Sequence, residues 1–244
     1  CVLAPCISSF VLWVLKDAVE RGIQRLYFLA RDGYFMYRTA EILCQKKGIP
    51  VECRYLYCSR YSLRVPMYHL DMAEAMEYIC RGGMDVTLKK IFDRTGITCS
   101  ERKQVLEELE LTFEMEEVIP YARLGEVKKA LTRSSCFQRY VCQHSREAFP
   151  ALEGYLRQEG LLDGVPDALV DSGWVGSMQK TLNQVLGHMG RSREAEGYYW
   201  GIYELPQGVK KERYHCYYFS PGRYLREKVY FSNCLFEAVF SAPH

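Results

Sequence analysis

The chain contains no C-x-x-C pair, although 11 of its 244 residues are cysteine. Cys53 and Cys58 stand five apart and Cys136 and Cys142 six apart, spacings that do not suit zinc. His69, His144, His188, His215 and His244 are scattered, and none has a histidine partner at i+4. These absences argue against a His/Cys metal site and for reduced, buried thiols in a cytoplasmic protein. Long apolar runs are missing too. The longest, FVLWVL at 10–15, is far short of the ~20 residues of a membrane span, and Lys16 and Asp17 follow it at once. No basic segment precedes it, so neither a membrane span nor a signal peptide is expected. An excess of one charge is lacking: 32 Lys and Arg against 30 Asp and Glu leave +2. No global field steers the chain to nucleic acid, and no nucleic-acid partner is expected. There is no internal repeat and no low-complexity tract. A first residue that is Cys1 rather than Met suggests a piece cut from a longer protein.

What is present is ordinary for a soluble globular protein, 48% hydrophobic and 25% charged. A chain of this size buries roughly three quarters of its unfolded surface, enough for a core without staples. Apolar residues at Phe10, Val11, Val14, Leu15, Ala18 and Val19 repeat at helical spacing. QRLYFLA at 24–30 predicts a buried strand, YFMYRTAEILCQKK at 34–47 a helix closed by Gly48, and VECRYLYC at 51–58 a second strand. This βαβ order predicts an α/β fold: a three-layer, parallel-sheet core of Rossmann-like or phosphoribosyltransferase-like type. Between 67 and 160 the pattern becomes helical and charge-rich, in segments such as DMAEAMEYICRGG, SERKQVLEELEL and ARLGEVKKALTRS. The expected organisation is therefore a core of 1–66 and 161–244 with a helical insertion or cap at 67–160. The sheet resumes at 167–171, a helix is expected from Trp174 to about Gly187, and strands at 195–203 and 214–219. A last helix is expected near 234–240.

Ligands of open parallel sheets bind beyond the carboxyl ends of the strands, and three such ends carry suggestive residues. In ALVDSGWVGSMQKTL an apolar strand ends at Asp171, and Ser172, Gly173, Trp174, Val175, Gly176 and Ser177 lead into a helix. Glycines there let backbone N–H groups form an anion nest at a helix N-terminus, with Ser172 and Ser177 as added donors. Asp171 suits a sugar hydroxyl or a bound Mg²⁺ rather than a phosphate. The plainer alternative is a tight turn that needs glycine for steric reasons and serine as a cap. ARDG places Arg31, a fork-shaped phosphate donor, beside Asp32 and Gly33. CSRYSLR offers Ser59, Arg60, Ser62 and Arg64 as a second cationic edge. Together the three ends suit a phosphorylated sugar. The Tyr-rich stretches at 198–203 and 214–218 are read mainly as core, with sugar stacking as a lesser possibility.

YFLARDG resembles the first motif of the haloacid dehalogenase phosphatases, but Ala30 stands where their nucleophilic aspartate belongs. Alanine has no oxygen to accept a phosphoryl group, so that covalent chemistry is excluded here. ALVDSGWVGSMQKTL is similar to the phosphoribosyltransferase motif of strand, acid, short Gly/Ser/Thr-rich loop and helix, with Ser172 in place of that family's second acid. LARDG resembles its pyrophosphate loop and CSRYSLR its basic flexible segment. Over nearly its whole length the chain also resembles the downstream domain of bacterial two-domain haloacid-dehalogenase-type proteins of surface-polysaccharide clusters. The carrying segments are CISSFVLWVL, FLARDG, YLYCSR, DSGWVGSMQ (which brings in Gln179) and EAVFSAPH.

The resemblance implies transfer of ribose 5-phosphate from phosphoribosyl pyrophosphate to a glycan acceptor, with an upstream phosphatase domain of the same polypeptide removing the phosphate. Arg31 and the Gly33 N–H, with Mg²⁺, would ease the departure of pyrophosphate. Asp32 joins Arg31 and Asp171 in the implied catalytic set. Asp171 would position ribose hydroxyls or Mg²⁺, residues 172–177 with Gln179 would hold the 5-phosphate, and Ser59, Arg60 and Arg64 would close over it. Two alternatives remain. One is a haloacid dehalogenase-like module that lacks its own nucleophile and binds a phosphosugar without turnover; the other is a scaffold for the phosphatase.

Overall fold

A computed structural model describes residues 3–109, 113–222 and 236–238. The chain divides into two compact units: 1–59 together with 156–244, and 60–155. The divisions fall at Ser59/Arg60 and Tyr155/Leu156, a few residues before the positions read from the sequence. The reason for the first shift is visible locally. CSRYSLR is not an open loop beyond Ser59: Arg60–Arg64 forms a short helix, α3, whose Leu63 is buried. Val65 and Pro66 follow in a 3-10 turn and are buried too.

The first unit begins with α1 (Leu3–Glu20), β1 (Arg25–Leu29), α2 (Gly33–Lys47) and β2 (Glu52–Leu56). After the second unit it resumes with β3 (Asp167–Trp174), α9 (Ser177–His188), β4 (Glu196–Ile202) and β5 (Tyr214–Phe219). The five strands form one parallel sheet in the order β2-β1-β3-β4-β5. β1 is buried at every position, as a parallel strand covered on both faces must be. Phe10, Val14 and Ala18 of α1 and Met36 and Ala40 of α2 pack with Leu26, Phe28, Ala168, Val170 and Tyr198 on one face. Across the sheet, Gln179 of α9 meets the Tyr199 hydroxyl. These are the three layers that the alternating strand and helix pattern predicts.

Sequence and structure part company at the end of β3. The sequence puts a strand at 167–171 and then a loop, whereas β3 continues to Trp174 because Gly173 pairs with Gly201 and Trp174 with Ile202. Its partner β1 stops earlier, the last matched pair being Phe28 with Val170. β3 thus projects past β1 while remaining bonded to β4. Of the helix expected near 234–240, residues 236–238 are helical and the others lie outside the described residues.

The second unit holds α3, α4 (Met72–Ile79), α5 (Leu88–Phe92), α6 (Cys99–Glu108), α7 (Leu124–Arg133) and most of α8 (Ser135–Gln158). It has its own core, including Ile79, Ile91, Phe92, Val105, Val127, Leu131, Phe137 and Val141. Thr98 and Glu101 open α6 with a reciprocal capping box. No helix among the described residues is long and apolar enough to cross a membrane.

Candidate functional site at the carboxyl ends of β1, β2 and β3

An order of 2-1-3-4-5 reverses direction between its β1 and β3 neighbours, and a doubly wound sheet opens its ligand crevice there. The overhang of β3 puts Ser172 beside the turn that follows β1. Its hydroxyl donates to Asp32 Oδ2 at 2.6 Å, and its backbone N–H donates to Asp171 Oδ1 at 2.9 Å. One buried serine therefore touches two carboxylates that are far apart in the chain. Asp32 immediately precedes α2 yet makes no side-chain cap with it, because its carboxylate turns to Ser172. Gly33 opens α2 against β1: a Cβ there would stand 3.0 Å from the Phe28 carbonyl carbon. Arg31, between them, is exposed at the β1 tip.

β2 contributes a residue that the sequence did not single out for this role. Burial pushes the Cys58 thiol up to about 12, with the Asp171 charge adding to the effect and a hydrogen bond with the Ala30 backbone opposing it. The same carboxylate adds to the burial that holds the Tyr199 phenol well above its ordinary value. The Asp171 charge thus bears on both Cys58 and Tyr199, while its direct bond is to the Ser172 N–H. The available signal was modest: Cys58 closes the stretch 51–58 that reads as a strand, although β2 itself stops at Leu56.

The segment read as a phosphate loop serves several purposes. Gly173 has φ +110°, and a Cβ would lie 2.3 Å from the Gly201 carbonyl oxygen, so close contact between β3 and β4 requires glycine. Trp174 lies in β3 rather than in a loop, between Phe219 and Phe236, and its indole N–H donates to Glu237 Oε1 at 2.7 Å. Two motifs distant in sequence, DSGW and EAVFSAPH, meet in that bond. Val175 makes the turn to Gly176, which caps α9 in the left-handed conformation with no side-chain cap on the helix N-terminus. Ser177 is the first residue of α9, and its carbonyl accepts from the Thr181 hydroxyl. Gln179 is buried: its amide donates to the carbonyls of Ala195 and Arg213 and accepts from Tyr199. Those bonds fasten α9 to β4 and β5, and the side chain offers nothing further to a phosphate.

Ser59 is exposed just after β2. Arg60 and Arg64 belong to the helical unit, as the first and last residues of α3. The Arg64 guanidinium lies 4.0 Å above the Tyr78 ring, which supports it within that unit. The Tyr-rich strands are mostly core. Tyr198 and Tyr199 are fully buried, Tyr198 donating to Asp17 at 2.6 Å, and Tyr214 is nearly so.

Among the described residues, no group of three or more His, Cys, Asp and Glu side chains comes together to hold a metal. Mg²⁺ commonly takes one or two carboxylates and completes its shell with water and substrate phosphates. Asp32 and Asp171, joined through Ser172, fit that smaller requirement. No protein-family model matches the chain, and no curated protein matches it.

Proposed function

We propose that this chain is a phosphoribosyltransferase-type domain, which transfers ribose 5-phosphate from phosphoribosyl pyrophosphate to a glycan acceptor in the cytoplasm. In the reaction the bond from ribose C1 to pyrophosphate oxygen breaks, and a bond from C1 to an acceptor hydroxyl oxygen forms. The hydroxyl proton passes to a carboxylate at the β1 or β3 tip. The observation that carries this reading is the Asp32–Ser172–Asp171 bridge at the switch point of the sheet. Beside it in sequence, α9 begins without a side-chain cap, leaving the N–H groups after Gly176 to meet the 5-phosphate. Arg31 suits the departing pyrophosphate. When bound, Mg²⁺ supplies charge neutralisation on that leaving group. An upstream phosphatase domain of the same polypeptide would then take the 5-phosphate product.

Titration calorimetry with phosphoribosyl pyrophosphate and Mg²⁺ tests the reading. Saturable heat is expected, and Asp171→Asn should weaken binding by about tenfold or more. Absence of heat at millimolar ligand overturns it. A second reading, a phosphosugar-binding or scaffolding module of haloacid dehalogenase-like type without turnover, is favoured by Ala30 at the β1 tip and by the Ser172 hydroxyl being engaged with Asp32. Donor binding without any mass increase on a panel of glycans would select that second reading.

A further inference from the structure

The chain carries 19 tyrosines, and those of the inner strands are consumed by the fold. Tyr27, Tyr198 and Tyr199 are buried, and their hydroxyls donate to the Glu159 carbonyl, Asp17 and Gln179. A separate group behaves differently at the sheet edge. β2 is an edge strand of the sheet, and Tyr57 follows Tyr55 by two residues, just past the strand's last residue, Leu56. Tyr55 and Tyr57 meet edge to face at 4.9 Å and 81°, and Tyr55 meets Tyr34 of α2 at 5.5 Å and 77°. Tyr34 in turn packs against Phe35 at 5.5 Å and 71°. The row runs from the first turn of α2 to the segment just past β2, at the carboxyl edge of the sheet where Asp32 and Asp171 lie. Tyr57 at its top is 72% exposed and Phe35 is 39% exposed. Asp32 immediately precedes α2, two residues before Tyr34, which puts the row beside that carboxylate.

We propose that Tyr34, Tyr55 and Tyr57 form a stacking platform for the pyranose ring of an acceptor sugar, at the rim of the Asp32–Asp171 site. An edge-to-face stack fixes ring orientation, so the outermost ring meets a ligand with little further ordering. A sugar suits it in three ways. Its C–H face packs on an aromatic face, its hydroxyls find phenol oxygens, and carboxylates beside the row accept from hydroxyls. The proposal rests on the transferase reading for calling the sugar an acceptor, whereas the platform itself is a matter of binding.

Saturation-transfer NMR on the full chain, with methyl pyranosides of the gluco, galacto and manno series at tens of millimolar, tests it. Irradiation of aromatic protons should label the ring protons of one sugar face in at least one series. Tyr57→Ala, checked for fold by circular dichroism, should weaken binding by about tenfold, and Tyr57→Trp should retain it. No transfer to any pyranoside, or undiminished transfer in Tyr57→Ala, overturns the platform. Calorimetry of the unsubstituted chain with phosphoribosyl pyrophosphate separates the two ideas. Saturation transfer to a sugar without donor heat sinks the transferase reading and upholds the platform; donor heat without saturation transfer sinks the platform and leaves the donor site standing.

Discussion

Ser172 and Asp32 lie 140 positions apart in sequence and meet at 2.6 Å, the β3 hydroxyl donating to the carboxylate that follows β1. Because the same serine's backbone N–H reaches Asp171, a single residue bridges the two acids. Ser172→Ala keeps the N–H contact and removes the hydroxyl. A hydrogen bond to a charged acceptor contributes about 1–3 kcal/mol, so urea unfolding should register a loss of that size. Affinity for phosphoribosyl pyrophosphate, measured by calorimetry, should fall with it as Asp32 loses its fixed orientation.

Gly173→Ala should be far more damaging than a glycine substitution elsewhere. It combines φ +110° with a Cβ only 2.3 Å from the Gly201 carbonyl oxygen. Strain and backbone collision together should cost about 3–5 kcal/mol. Gly208→Ala is the control. Its φ of +76° is strained as well, but nothing lies within 4 Å of the new methyl. A cost of about 1 kcal/mol is expected there, and thermal unfolding of both variants measures the difference.

Glu196 should make stability sensitive to acid. Burial alone would raise its carboxyl, but the His215 hydrogen bond and the Arg21, His215 and Arg213 charges bring it below its usual value of 4.5. A carboxylate whose folded value is depressed stabilises the protein fully above its unfolded value, and that contribution disappears as pH falls through the folded value. Unfolding followed from pH 7 downward should therefore steepen below the ordinary carboxylate range. Glu196→Gln should flatten that part of the profile, and an unchanged slope would refute the assignment.

Cys58 should resist alkylation although it lies beside the candidate site. Burial and the Asp171 charge hold its thiol protonated up to about 12, and the thiolate is the reactive form. Cys99 is exposed at the start of α6. Mass spectrometry after brief treatment with iodoacetamide should find Cys99 modified and Cys58 intact, with Cys58 labelled only after unfolding.

The course of the chain was readable where local pattern decides it. Continuous apolar runs are what doubly covered strands require, and the stretch read as a strand at 214–219 is β5 without a change of boundary. Reading failed where a distant partner decides. Asp-Ser-Gly looks like a loop locally, yet the Gly201 carbonyl draws Gly173 into a strand pair. Arg60–Arg64 looks solvated, yet Leu63, Val65 and Pro66 are buried, Val65 in the core of the helical unit. The chemistry-bearing residue types could be picked from strand ends, but their company could not. Ser172 with Asp32, and Trp174 with Glu237 63 positions on, are facts of strand order that no window of sequence contains.

That strand order also imposes a schedule on biosynthesis. β1 is buried along its whole length, and one of its two neighbours, β3, pairs Asp167 against Arg25. A ribosome that has just released β1 must add about 140 further residues before that neighbour exists, roughly 7–30 s at ordinary elongation rates of ~5–20 residues per second. For that interval RLYFL emerges with β2 as its sole available neighbour and one flank bare. The helical segment at 60–155, with a core of its own, is synthesised whole before the sheet can be completed.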